Sequence, residues 1–326
     1  MSELHKFIFE GLPVRGMLVR LTDGWQEMLQ RRRVGGAYPP EVEHLLGQMV
    51  AAATLMQANI KFNGALVLQI SGDGPLKLAV AEVQSDLSFR ATASFGPQGP
   101  QAVAAGSTLS QLVNVSNRGR CAITLDPKDR LPGQQPYQGV VPLFGDQREK
   151  IEKLSEVLEH YMLQSEQLDT CLVLAADHQV AAGLLIQRLP VMGQGNLAGQ
   201  LDRDANEDQL GRNEDYRRIA MLAQTLQPDE LLTLGVDQIL HRLFWQEPIR
   251  RFEPLRPRFA CSCSRERVGS MLRSLGQPEI DSIVAEQGRV EVGCEFCGVK
   301  YRFDAVDAAQ LFTDRADQAP GPMGVQ

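Results

Sequence analysis

The chain has no long hydrophobic run. Its most apolar helical stretch, residues 49–60, is interrupted by Gln57 and Asn59. It is far shorter than the roughly 20 residues needed to cross a bilayer. The opening MSELHKFIFEG lacks the apolar core of a secretory signal, so the expected compartment is the cytoplasm. Positive charge is not in excess: the net charge of -7 argues against nucleic acid as a partner of the whole protein. There is no Walker lysine motif, so a P-loop nucleotide site is not expected. Gly193, Gly195 and Gly199 miss the dinucleotide-binding spacing, and Gly72-Asp73-Gly74 marks a hairpin, not a phosphate loop. His5, His44, His160, His178 and His241 form no ligand spacing. No nucleophile–base set assembles, so the chain is not expected to be an enzyme. Internal repeats and coiled-coil heptads are absent as well.

What remains is a chain of 326 residues with ordinary soluble composition, 43% hydrophobic and 22% charged, long enough for more than one domain. Residues 1–190 predict a mixed α/β domain. Short strands are expected at 7–10 and 15–21, and a helix over 41–60 with Val42, Leu45, Leu46, Met49, Val50 and Ala53 at helical period. Residues 65–71 and 76–83 alternate in strand fashion around the turn, with further strands at 87–94, 121–125 and 139–143. An amphipathic helix over 146–164 and strands at 171–175 and 181–187 close the domain.

The composition then turns polar and rich in Gly, Asn and Asp over 191–218, the pattern of a weakly ordered linker. The linker, taken as 191–254, also carries predicted helices at 214–226 and 228–246, the second opened by Pro228-Asp229-Glu230. Residues 255–312 predict a small metal module, with Ser264 capping one helix, Pro278 opening another and Gly298 providing a positive φ after Cys297. The tail, 313–326, is expected to be disordered. The fold class is α+β: a mixed α/β N-terminal domain, a helical linker and a small C-terminal zinc-binding domain.

Four cysteines near the C-terminus carry most of the functional signal. They read Cys261-Ser-Cys263, then thirty residues, then Cys294-Glu-Phe-Cys297. Two close thiol pairs separated by a foldable loop make a four-thiolate site, for which one Zn2+ is the expected occupant. Four thiolates fill the tetrahedron and leave no position for a hydrolytic water. The bland alternative is a structural clip that only folds its own module. Cys121 and Cys171 lie in apolar strand-like segments and read as inert buried thiols.

The segments HKFIFEGLPVRG, GDGP, YQGVVPL and YMLQSEQL, followed by FACSCSRERV, DSIVAEQG and GCEFCGVKYRF, resemble the heat shock protein 33 family over nearly the whole chain. The family's C-x-C and C-x-x-C pattern is matched at all four cysteines. Departures lie in an acidic stretch around residues 200–215 and an enlarged segment near 33–38. The resemblance implies a redox-regulated holdase that works without ATP and is inactive while its thiolates are reduced and zinc-bound. It implies that oxidation forms disulfides within each pair, Cys261 with Cys263 and Cys294 with Cys297, releases zinc and unfolds the linker. It also implies a homodimer when oxidised, a monomer when reduced, and unfolding client proteins as partners.

The candidate client surface is the apolar face of the second linker helix, including Leu231, Leu232, Ile239, Leu240, Leu243, Phe244 and Trp245. Taken alone, that face could equally be a permanent packing surface. Arg250, Arg251, Arg256, Arg258, Arg265 and Arg267 crowd the approach to the cysteines, where cations could offset the charge of a zinc-thiolate site. The competing class is a zinc-ribbon protein that binds nucleic acid or another macromolecule.

Overall fold

The computed structural model describes residues 1–33, 35–130, 133–145, 147–189 and 213–313. Most of the polar stretch expected as linker, the acidic residues 200–212, Val34 and the tail from 314 lie outside the described residues. The chain divides into two compact units, Met1–Ala260 and Cys261–Gln326.

The first unit runs β1 (Glu3–Phe9), β2 (Val14–Leu21), α1 (Asp23–Arg33), α2 (Pro40–Asn59), β3 (Gly64–Ser71), β4 (Leu76–Gln84), β5 (Ser88–Phe95), α3 (Leu109–Val113), β6 (Arg120–Pro127), β7 (Tyr137–Pro142), α4 (Leu154–Ser165), β8 (Thr170–Ala176) and β9 (Ala181–Arg188). It continues through α5 (Glu214–Gln224), α6 (Pro228–Thr233), α7 (Val236–Phe244), β10 (Ile249–Arg251) and β11 (Arg258–Phe259). One sheet has the order β10-β1-β2-β9-β8 and the other β11-β5-β4-β3-β6-β7.

Between the sheets runs α2. Pro40 starts it at a position where the missing N–H costs nothing. Small and apolar residues then fill every turn, and Val42, Leu46, Met49, Val50, Ala53 and Leu55 are fully buried. This helix packs on β2, β8 and β9 on one side and on β3, β4 and β5 on the other. Gly47 permits the close approach, since a Cβ there would meet Ala176, Trp25 and Ala181. The sequence carries no strong signal for α1, yet Trp25, Met28 and Leu29 recur at helical spacing and are buried, with Trp25 Nε1 donating to the Asp177 carbonyl at 2.7 Å.

The opposite face of the first sheet is covered by α5, α6 and α7. Phe7, Phe9, Val14, Leu18, Leu184 and Ile186 form one apolar cluster with Ile219, Ala223, Leu231, Ile239, Leu243 and Phe244. For this reason β9 is buried at all eight positions: α2 covers one face and the later helices the other. Arg20 binds the last carbonyls of α6, with Nη2 donating to Leu232 O at 2.9 Å and Nη1 to Leu231 O. Asn213 caps α5 by accepting from the Tyr216 amide at 2.8 Å.

Two expected helices differ in extent. The helix expected over 146–164 begins only at Leu154, because a turn closed by Gly145 N–H to Glu149 O returns the chain so that Ile151 N–H donates to Leu143 O. The helix expected over 228–246 is two helices. Leu234 is extended at φ -79, ψ 150, and Gly235, a poor helix former, starts α7.

The second unit contains α8 (Arg265–Leu275), α9 (Gln277–Gln287), the hairpin β12 (Val290–Gly293) and β13 (Lys300–Phe303), and α10 (Ala305–Gln310). Leu272, Ile280, Val290, Phe303 and Ala308 are its fully buried core. So few apolar side chains rarely hold a module of this size without a staple.

Candidate metal centre

Two backbone features bring the thiols together. Cys294 follows β12 directly, and its carbonyl accepts from the Gly298 amide at 2.8 Å, while its own amide donates to Val299 O at 2.8 Å. Gly298 has φ +71, which a side-chain residue adopts only at a cost, and this turn places Cys294 and Cys297 on one side of the hairpin. Cys261 and Cys263 precede α8, whose N-cap Ser264 accepts from the Arg267 amide at 3.2 Å. Arg267 Nη1 reaches back to the Ser262 carbonyl at 2.8 Å, so the C-x-C segment is held from the helix it precedes.

All four sulfurs lie within 4.8 Å of one another. Cys261 is 3.6 Å from Cys294, and Cys263 is 3.3 Å from Cys297. A tetrahedron with metal–sulfur bonds of about 2.3 Å has edges of about 3.8 Å, so the donor set fits a four-thiolate ion. Every cysteine is a free thiol. Burial and the neighbouring thiols push the Cys297 thiol up, against the lowering effect of the Val299 amide. Four thiolates packed so closely repel one another unless a cation sits among them.

The surroundings add residues that spacing alone did not single out. Tyr301, from β13, donates its hydroxyl to Cys263 Sγ at 3.1 Å. Glu291 on β12 accepts from Lys300 and Arg302 at 2.8 Å each, which holds its carboxyl down to about 2 and ties the two strands together. Arg265 stacks over Phe303 at 4.2 Å and pairs with Asp307 at 2.7 Å. A signal for Tyr301 is present in the sequence: it sits four residues beyond Cys297, on the strand returning from the cysteine turn.

The other arginines singled out from the sequence belong to the first unit, and several have acidic partners there. Arg251 pairs with Asp237, Arg256 with Glu3 at 3.6 Å and Arg258 with Asp86 at 2.5 Å. Within the cysteine unit, Arg265 and Arg267 serve its own carbonyls and Asp307. Cys121 and Cys171 are buried, and burial pushes each thiol up to about 12.

Of the candidate client-binding residues, Leu231, Ile239, Leu240, Leu243 and Phe244 are buried against the first sheet, and Leu232 is half-buried at the edge of the same cluster. Trp245 is not part of this packing. It ends α7 one position past the buried stripe and is 67% exposed. Among the described residues no helix is long and apolar enough to cross a membrane.

A family model described as "Hsp33 protein" matches residues 2–304. The chain is 45% identical to a protein named "33 kDa chaperonin" from Chromobacterium violaceum, over 95% of this chain and 94% of that one. It is 43% identical to the protein of the same name from Methylobacillus flagellatus, over 96% and 94% of the two chains. The crystal structure of the 33 kDa chaperonin of Thermotoga maritima, described as a heat shock protein 33 homolog, superposes with a TM-score of 0.71 at 19% identity, covering 95% of this chain and 98% of that one. At that identity the likeness speaks for the fold, while the family model and the closer relatives settle kinship: the chain belongs to the Hsp33 family.

Proposed function

We propose that this chain is an ATP-independent holdase chaperone, inactive while its four cysteines are reduced and hold one Zn2+, and activated by oxidation. Cys261, Cys263, Cys294 and Cys297 are the ligands, and tetrahedral thiolate coordination favours zinc over harder divalent ions. When bound, the ion supplies folding free energy on the order of 10–16 kcal/mol in small modules, which the five-residue core lacks.

The thiolates are also nucleophiles toward peroxide or hypochlorous acid. With peroxide, a sulfur–oxygen bond forms as the O–O bond breaks, and hydroxide leaves. A second thiolate then displaces hydroxide from the sulfenic acid and closes a disulfide. The pairs proposed are Cys261 with Cys263 and Cys294 with Cys297. A disulfide sulfur no longer carries the charge of a thiolate ligand, so oxidation removes the staple from the module.

The observation that carries the proposal is the packing of α5–α7 on the first sheet. One set of contacts hides two apolar faces. If the helices leave, Leu231, Leu232, Ile239, Leu240, Leu243 and Phe244 are exposed on one side, and Phe7, Phe9, Val14 and Leu18 on the other. Surface of that kind binds unfolding chains through the hydrophobic effect and needs no nucleotide. Trp245, already exposed, extends the helix face as a rim anchor. The reading includes a cytoplasmic protein with no catalytic activity of its own, monomeric when reduced and a homodimer when oxidised.

Light scattering of a chemically denatured client tests the reading. Suppression by the peroxide-treated chain and none by the reduced chain is expected. Equal suppression in both states contradicts it.

A further inference from the structure

Tyr301 stands opposite Val292 in the β12–β13 hairpin, two residues before Cys294. Its hydroxyl crosses the site to Cys263 Sγ at 3.1 Å. The bond joins the C-x-C segment to the strand that returns from the other cysteine pair, through a side chain that is not itself a ligand. A sulfur that accepts an O–H bond has part of its lone-pair density engaged, and attack on an electrophile must weaken that bond. Nucleophilicity at that sulfur falls accordingly.

We propose that Tyr301 is a positioning residue that selects which thiolate is oxidised: by holding Cys263, it steers peroxide to the other three sulfurs. This rests on the redox-switch reading. In the first step a thiolate attacks peroxide, a sulfur–oxygen bond forms, the O–O bond breaks and hydroxide leaves. In the second, a neighbouring thiolate displaces hydroxide from the sulfenic acid. Two thiolates give up two electrons and the peroxide is reduced. Tyr301 donates no proton in this balance; it changes only which sulfur attacks first.

The test uses the full zinc-loaded chain and substoichiometric hydrogen peroxide. Sulfenic acid is trapped with dimedone and mapped to each cysteine, and zinc release is followed with a chromogenic chelator. In Tyr301→Phe, which keeps the ring, the share of trapped label on Cys263 is expected to rise about three- to tenfold, the rate equivalent of one hydrogen bond. Zinc release is expected to quicken. Incorporating 3-fluorotyrosine at position 301, a stronger donor, is expected to move both readouts the opposite way, which a merely structural role for the ring would not. A wild-type chain whose zinc survives peroxide overturns the redox reading and the inference together. A wild-type chain that releases zinc, with Tyr301→Phe showing the same label distribution, overturns the inference alone.

Discussion

The thiol of Cys171, on β8, points at the carbonyl oxygen of Ala220, on α5, with 3.8 Å between sulfur and oxygen. A sheet residue is therefore sealed by a helix that the proposed function requires to leave. Burial, with Glu159 nearby, pushes this thiol up to about 12. Exposure returns it toward about 8.5, raising its thiolate fraction near pH 8 on the order of a thousandfold. Cys171 is thus expected to resist iodoacetamide in the reduced, zinc-loaded chain and to react after oxidation, while Cys121 stays protected. Mass mapping that finds Cys171 equally protected in both states would show that α5 stays docked.

The helix face is tested by Leu240→Ser combined with Phe244→Ser. Phe244 packs edge-on to Phe9, with ring centroids 5.0 Å apart. Truncating a buried aromatic residue costs about 3–5 kcal/mol. The reduced variant is expected to expose Cys171 more readily, and the oxidised variant to hold less client. Undiminished holding by the oxidised variant removes this face from the mechanism.

Removing the metal is expected to unfold the cysteine unit and leave α2 and the two sheets of the first unit folded. The five-residue apolar core of the second unit cannot replace a contribution of about 10–16 kcal/mol. Chelation followed by hydrogen exchange should show loss of protection in α8, α9 and the β12–β13 hairpin, with α2 unchanged. Retained protection in both units contradicts the staple argument.

The disulfide pairing has a sharp alternative in the reduced geometry. Two close sulfur contacts run across the pairs, Cys263 to Cys297 at 3.3 Å and Cys261 to Cys294 at 3.6 Å. Chain adjacency favours Cys261 with Cys263 and Cys294 with Cys297 once the module loosens, the smaller C-x-C ring forming later because it is more strained. Non-reducing peptide mapping decides. Cross-pair bridges would mean that oxidation completes inside the folded site.

Glu159 gives the first unit a pH dependence. Desolvation is the main cause that raises its carboxyl to about 7, opposed by the Leu172 amide at 2.7 Å; Glu156 adds to the rise and Lys153 opposes it. The folded chain therefore holds a proton that the unfolded chain has lost between pH of about 4.5 and 7. Stability attributable to this group falls as pH rises through that window, by about 3 kcal/mol at most. Urea midpoints measured from pH 5 to 8 should show this decline, flattened in Glu159→Gln. An identical slope in the variant assigns the dependence elsewhere.

Much of this architecture is legible in residue order, for physical reasons. Strands β3 and β4 alternate strictly or nearly so, because one sheet face meets α2, and the cysteine pairs announce their site by spacing alone. The break at Leu234-Gly235 is hidden because apolar residues continue through it at helical period. The exposure of Trp245 is hidden because hydrophobicity does not report that a helix ends one residue earlier. Tyr301 reads as an ordinary strand aromatic until the hairpin register carries its hydroxyl to Cys263.

The most direct test follows three signals in one preparation after peroxide addition: zinc release, alkylation of Cys171 and suppression of client aggregation. The account predicts that zinc leaves first and that Cys171 exposure and client holding then rise together. Client holding by the zinc-loaded chain, or holding while Cys171 remains protected, would contradict it.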